Sequence, residues 1–230
     1  DSDHLDIYGT HEAYLESFRK YTSLIRPDGY LIIKEGLELK PDVQPGVTVY
    51  TYSTEKGDFH AENIRIDNDG TARHALSILQ RQGCQRVAVV ASDVGSIGLE
   101  TRVRGFVAAA HEAGIAVEVL RYGDTAYASG VSMASALRQI PDGVFCVTDL
   151  LACGFLDEMR QRGVHVPEEM VLIGFDDIEQ ARWHAYQLTT FRQPQQQMVQ
   201  HIIARLQAPF GAFDNDYTCP LETVWRGTTR

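Results

Sequence analysis

Apolar residues recur along the chain with two periods. Short, continuous or alternating apolar runs predict strands at Leu5–Tyr8, Tyr30–Ile33, Val47–Tyr50, Asn63–Ile66, Val87–Ala91, Ala116–Leu120, Val144–Val147, Val171–Phe175, Leu188–Phe191 and Leu221–Trp225. Between them, a three-to-four-residue spacing predicts helices over about 12–25, 70–82, 98–113, 130–139, 150–162 and 194–206. One pattern appears three times: a helical stretch closes on Gly83, Gly114 or Gly163, and a β-branched run follows. Glycine just past a helix accepts the left-handed cap at no steric cost, so these are helix stops feeding buried strands. Ser129 and Asp149 stand where helix N-caps are expected. Pro209 to Asp216 reads as a Gly/Pro/Asp loop before the last strand. Alternating strands and helices with uninterrupted apolar strands predict an α/β fold of parallel sheets covered on both faces.

Composition narrows the class. In 230 residues, 44% are hydrophobic and 23% charged, enough for a sizeable core. The longest apolar run, around Val87 to Ala91, is strand-sized and far below the roughly 18 residues a membrane helix needs. The opening DSDHLDIYGT has neither the basic nor the apolar region of an export signal. With 21 basic and 31 acidic residues the net charge is −10, so this chain by itself is expected to repel DNA phosphates and anionic membranes. Cys84, Cys146, Cys153 and Cys219 show no CxxC spacing and read as buried free thiols, which fits a reducing cytoplasm.

Ligands of open parallel sheets bind beyond the carboxyl ends of the strands. Three predicted strands end there in polar residues: Ser92 and Asp93, Thr148 and Asp149, Asp176 and Asp177. Arg102 lies about one turn inside the helix that follows Ser92. Arg102 and Asp176 read as contacts to a polar small molecule, whereas Asp149 reads first as a helix cap and Asp177 as solvent-facing. Catalytic patterns are weak. The adjacent Asp176 and Asp177 cannot flank one bond in extended chain, and the eight histidines form no metal-ligand spacing. GSIG at Gly95 to Gly98 lacks the lysine of a phosphate loop. DNDG at Asp67 to Gly70 reads as a turn feeding a helix N-cap in preference to a calcium loop. No enzyme activity, metal or cofactor is expected.

VLIGFDDIEQARW followed by LTTFRQP resembles the effector-binding core of the LacI/GalR family of bacterial transcription regulators. RPDGYLII, IRIDNDG, QGCQRVAVVA, ETRVRGF and FCVTDLLACG extend the likeness, in the family's order. The resemblance implies two periplasmic-binding-protein-like subdomains, each a doubly wound parallel sheet, around an effector cleft. Residues 1–84 plus 193–217 would form the amino-terminal subdomain, and residues 85–192 plus 218–230 the carboxy-terminal one. The three hinge crossings would fall near Cys84, Arg192 and Asp216 to Thr218. Carried over residue by residue, Arg102 and Asp176 match family effector ligands. Thr148 replaces a common asparagine, with Asp149 beside it; Thr125 stands near an aromatic position, and Asp69 near an acidic contact. The implied partners are a sugar-like or nucleoside-like effector, a second copy of the chain, and operator DNA. DNA would be bound through a helix-turn-helix that these residues do not include. LDIYGT resembles the second strand of the amino-terminal subdomain, so the chain is expected to lack that subdomain's first strand and helix. A periplasmic sugar-binding protein of a transport system is the alternative sharing the fold.

Overall fold

Thr10 starts the first described helix by accepting a hydrogen bond from the Ala13 N–H at 3.1 Å, as an N-cap hydroxyl does. The computed structural model describes residues 10–53, 59–60, 64–207 and 217–230. The chain divides into two units, Asp1–Asn63 and Ile64–Arg230. In the first, helix α1 (His11–Thr22) precedes strands β1 (Tyr30–Lys34), β2 (Thr48–Ser53) and β3 (Phe59–His60). The three strands form a parallel sheet in that order, with Tyr30 opposite Thr48 and Ile32 opposite Tyr50. Side chains alternate along β1: Leu31 and Ile33 are half-buried, while Tyr30 and Ile32 are exposed.

The second unit is built around an apolar strand. Its elements are β4 (Ile64–Ile66), α2 (Asn68–Arg81), β5 (Arg86–Ala91), α3 (Ile97–Glu112), β6 (Ala116–Arg121), α4 (Tyr127–Ala136), β7 (Gly143–Cys146), α5 (Asp149–Gln161) and β8 (Val171–Ile173). A 3-10 turn (Glu179–Arg182), β9 (Thr190–Arg192), α6 (Gln195–Gln207), β10 (Tyr217–Cys219) and β11 (Glu222–Val224) follow. The central sheet runs β6–β5–β7–β8, all parallel. Val87 to Ala91 are at most 2% exposed, which is why both faces of β5 read as apolar in the sequence. Phe106 of α3 stacks on Phe145 of β7 with ring centroids 5.4 Å apart. Helices α4 and α5 meet backbone to backbone. A Cβ on Gly154 would lie 2.0 Å from the Tyr127 carbonyl oxygen, and one on Gly130 would lie 2.2 Å from that of Leu151.

The predicted helices and most predicted strands are present within a few residues. Gly83, Gly114 and Gly163 take φ of +85°, +67° and +81°, as helix stops require. Two caps differ from expectation. Thr148, not Asp149, is the N-cap of α5, and Ser129 sits in the first turn of α4, donating to Asp124 at 2.7 Å. Strands β3 and β10, the 3-10 turn and the parallel pairing of β10 with β4 carry too few residues to register as apolar runs. Leu5–Tyr8 and Pro209 to Asp216 lie outside the described residues. The division at Asn63 and Ile64 coincides with none of the expected crossings; Cys84, Arg192 and Thr218 all belong to the second unit.

Candidate functional site

Strands β5, β7 and β8 run parallel, so their carboxyl ends share one edge of the sheet. Arg102, six residues into α3, is brought to that edge and is only 6% exposed. Its Nε donates to Asn68 Oδ1 at 2.8 Å and its Nη1 donates to the Val147 carbonyl at 2.6 Å. The guanidinium carbon lies 3.3 Å from the centroid of the Phe175 ring, a cation–π contact that holds the fork flat. Among the described residues Nη2 has no hydrogen-bond partner. Burial pulls the guanidinium down to about 10, against the opposing charges of Asp176 and Asp149.

Asp176 follows β8 with φ of +120°, a conformation that non-glycine residues rarely adopt and that clusters at functional sites. Its N–H donates to the Phe191 carbonyl at 2.9 Å, and its Oδ1 accepts from Gln193 Nε2 at 2.9 Å. Burial raises its carboxyl above the ordinary value, although Arg102 and Gln193 oppose the shift.

Asp177 turns away, with φ of +54°, and does not face solvent as expected. Its side chain is 2% exposed and accepts from Arg226 and from Arg192 Nε, the latter at 2.7 Å. Burial alone would raise its carboxyl, but the two arginines more than offset this and bring it below the usual range. The pair therefore divides its work: Asp177 ties β8, β9 and the chain end together, and Asp176 is presented at the edge.

The other expected contacts are differently engaged. Thr148 is half-buried, and its hydroxyl accepts from the Leu151 N–H at 3.5 Å, a weak cap. Asp149 is fully buried, with Oδ1 accepting from Thr190 Oγ1 at 2.6 Å and Oδ2 from the Ile178 N–H at 3.0 Å. Burial raises its carboxyl to about 6. Asp69 pairs with Arg73 at 2.9 Å, and Arg73 also reaches Glu112 at 2.8 Å, so this acid joins α2 to α3. Thr125 is half-buried in the connection between β6 and α4.

Three residues at the edge carried no recognised signal. Asn68 lay inside DNDG, which does form a helix start, with Asp67 as N-cap accepting from the Gly70 N–H at 2.8 Å. Phe175 read as the end of a strand, and Gln193 only as part of LTTFRQP. Their roles depend on contacts 34 and 17 residues away along the chain.

Among the described residues no group of His, Cys, Asp or Glu could hold a metal ion. The four cysteines are free and buried, and burial pushes Cys84 to about 11 and Cys153 to about 12, far from a reactive thiolate. No helix of the described residues is long and apolar enough to cross a membrane.

Residues 66–229 match the family described as periplasmic binding protein-like domain, and residues 1–95 match the Mur ligase middle domain. A stretch of 68 residues is 74% identical to the UDP-N-acetylmuramate–L-alanine ligase of Phocaeicola vulgatus, covering 30% of this chain and 15% of the ligase. Over 179 residues the chain is 29% identical to the HTH-type transcriptional repressor PurR of Actinobacillus pleuropneumoniae, covering 73% of this chain and 52% of the repressor. The structure is similar to that of a sugar-binding transcriptional regulator (LacI family) from Escherichia coli complexed with phosphate. The TM-score is 0.66 with 26% identity, over 78% of this chain and 67% of that one. The chain thus spans about half of the repressor and a small part of the ligase. The ligase-family match contains RPDGYLII, so that segment does not support the expected amino-terminal regulator subdomain.

Proposed function

This chain belongs, through residues 66–229, to the family of periplasmic binding protein-like domains in its LacI/GalR effector-binding form; from that we propose that its second unit senses a small polar effector for a transcription regulator. One observation carries the reading. Arg102 is a buried guanidinium whose inner nitrogens are satisfied by protein, whose outer nitrogen is not, and whose neighbour Asp176 is held in a rare backbone conformation. Burying a charge is costly, and such expense concentrates at binding sites. A fork and a carboxylate at one edge suit neighbouring hydroxyls, as on a sugar or a nucleoside. Thr148 lies at the same edge and is kept as a third contact. Asp149 and Asp69 are given to the frame, because their carboxylates are already bonded to protein.

The effector would shift the balance between conformations of the regulator, and operator DNA would be reached by a helix-turn-helix outside these 230 residues, in a cytoplasmic homodimer. An acidic surface of net charge −10 supplies little with which to neutralise phosphates. Ligase activity is not proposed: the match spans 15% of the ligase. The test is a thermal-shift screen of the chain and its Arg102→Met variant against aldoses, ketoses, nucleosides and their phosphates. A ligand at a hundred times its Kd adds about 2.7 kcal/mol of stability. The expected result is a shift for the wild type that Arg102→Met abolishes. A panel that shifts both chains equally would remove the site.

A further inference from the structure

A buried guanidinium and a carboxylate at one sheet edge attract each other, and direct pairing is their default arrangement. Arg102 and Asp176 are near enough for each to move the other's pKa. Yet among the described residues they form no ion pair within 4.0 Å, whereas Asp177 next door pairs with arginines. Two neutral amides stand on the bonds that hold them. Asn68, the first residue of α2, takes the Arg102 Nε–H at 2.8 Å, on the inner edge of the fork. Gln193, between β9 and α6, donates to Asp176 Oδ1 at 2.9 Å. With the Val147 carbonyl on Nη1 and the Phe175 ring under the fork, the guanidinium is fixed in plane and in direction. An amide satisfies a charge without cancelling it, so both charges stay available.

Building on the effector reading, we propose that Asn68 and Gln193 are positioning residues that hold Arg102 and Asp176 apart. Arg102 Nη2 and Asp176 Oδ2 are thereby left for a ligand that accepts at one point and donates at the next. The chemistry that fits is a vicinal diol. One hydroxyl oxygen accepts from Nη2, and its neighbour donates to the carboxylate. A ligand with only acceptors, such as an ether or a fully substituted phosphate, leaves Asp176 without a donor.

The full chain tests this without any ligand. Arg102 Nε–H gives a proton–nitrogen signal, assigned by its loss in Arg102→Met. Asn68→Leu should speed its exchange with water roughly tenfold or more, as loss of a buried charged hydrogen bond does. Asn68→Asp should restore slow exchange, because a carboxylate accepts the same bond. A crystal structure of Gln193→Met should show Arg102 and Asp176 paired within about 3.2 Å. By calorimetry with D-ribose and adenosine as probes, Gln193→Met should bind roughly tenfold more weakly with little change in Tm. Unchanged exchange in Asn68→Leu, or an Arg102–Asp176 gap that persists in Gln193→Met, overturns the positioning role. A wild type that binds neither probe overturns the vicinal-diol assignment, while the two ligand-free measurements still decide the positioning role.

Discussion

Replacing Arg102 by methionine removes the charge and keeps a long, flexible apolar side chain in its place. Three terms set the cost. The guanidinium is brought from 12.5 to about 10 by burial, so the fold holds its charged form about 3 kcal/mol less well than water does, and the substitution relieves that. Against it, Asn68 Oδ1 and the Val147 carbonyl lose their donor, at about 1–3 kcal/mol each where water cannot replace it. The contact with Phe175 adds about 1–2 kcal/mol of loss. The sum leaves Arg102→Met about 0–5 kcal/mol less stable than the wild type, centred near 2 kcal/mol, or roughly 4–8 °C in Tm at the centre. Both tryptophans, Trp183 and Trp225, lie in the second unit, so their emission during urea unfolding reports this unit alone. A residue that is nearly dispensable for stability but required for every ligand-induced shift is one retained for binding. A loss above about 5 kcal/mol would instead make Arg102 a structural tie and refute the reasoning.

Asp149 should give a pH signature. Its carboxyl is raised to about 6 in the fold against 3.8 unfolded, so the folded state binds the extra proton and its contribution to stability falls as pH rises through that window. Relative to Asp149→Asn, the wild type should lose about 3 kcal/mol between pH 4 and pH 7; parallel urea profiles for the two chains would contradict this. Gly154→Ala places a Cβ 2.0 Å from a backbone oxygen and should cost about 2–4 kcal/mol after the gain in helix propensity. Gly95→Ala, with nothing within 4 Å of its Cβ, should change stability by less than about 0.5 kcal/mol. Asp177→Ala strands Arg226 and Arg192 and should cost about 3–5 kcal/mol in the same assay, whereas a solvent-facing carboxylate would cost almost nothing.

The apolar periods of this sequence determined where its helices and most of its strands lie, because burial of one helical face or both strand faces depends on local spacing. Val87 to Ala91 could only be a strand covered twice, and Gly83, Gly114 and Gly163 could only end helices as they do. The motifs also placed Arg102 and Asp176 at one sheet edge, since parallel strands send all their carboxyl ends the same way. What a side chain does at that edge was decided by tertiary structure. Asp149 and Asp176 stand at equivalent strand ends, yet Thr190 and the Ile178 N–H engage one, and Gln193 engages the other. Asp177 looked like surface and is the buried centre of an arginine cluster. The division at Asn63 and Ile64 was equally hidden, because it falls between two short strands, Phe59–His60 and Ile64–Ile66, in a run of four strands with no helix between them. Hydrophobic spacing is a property of neighbours in sequence. The partner of a buried charge is a property of neighbours in space, and for Asn68 and Arg102 those neighbours are 34 residues apart.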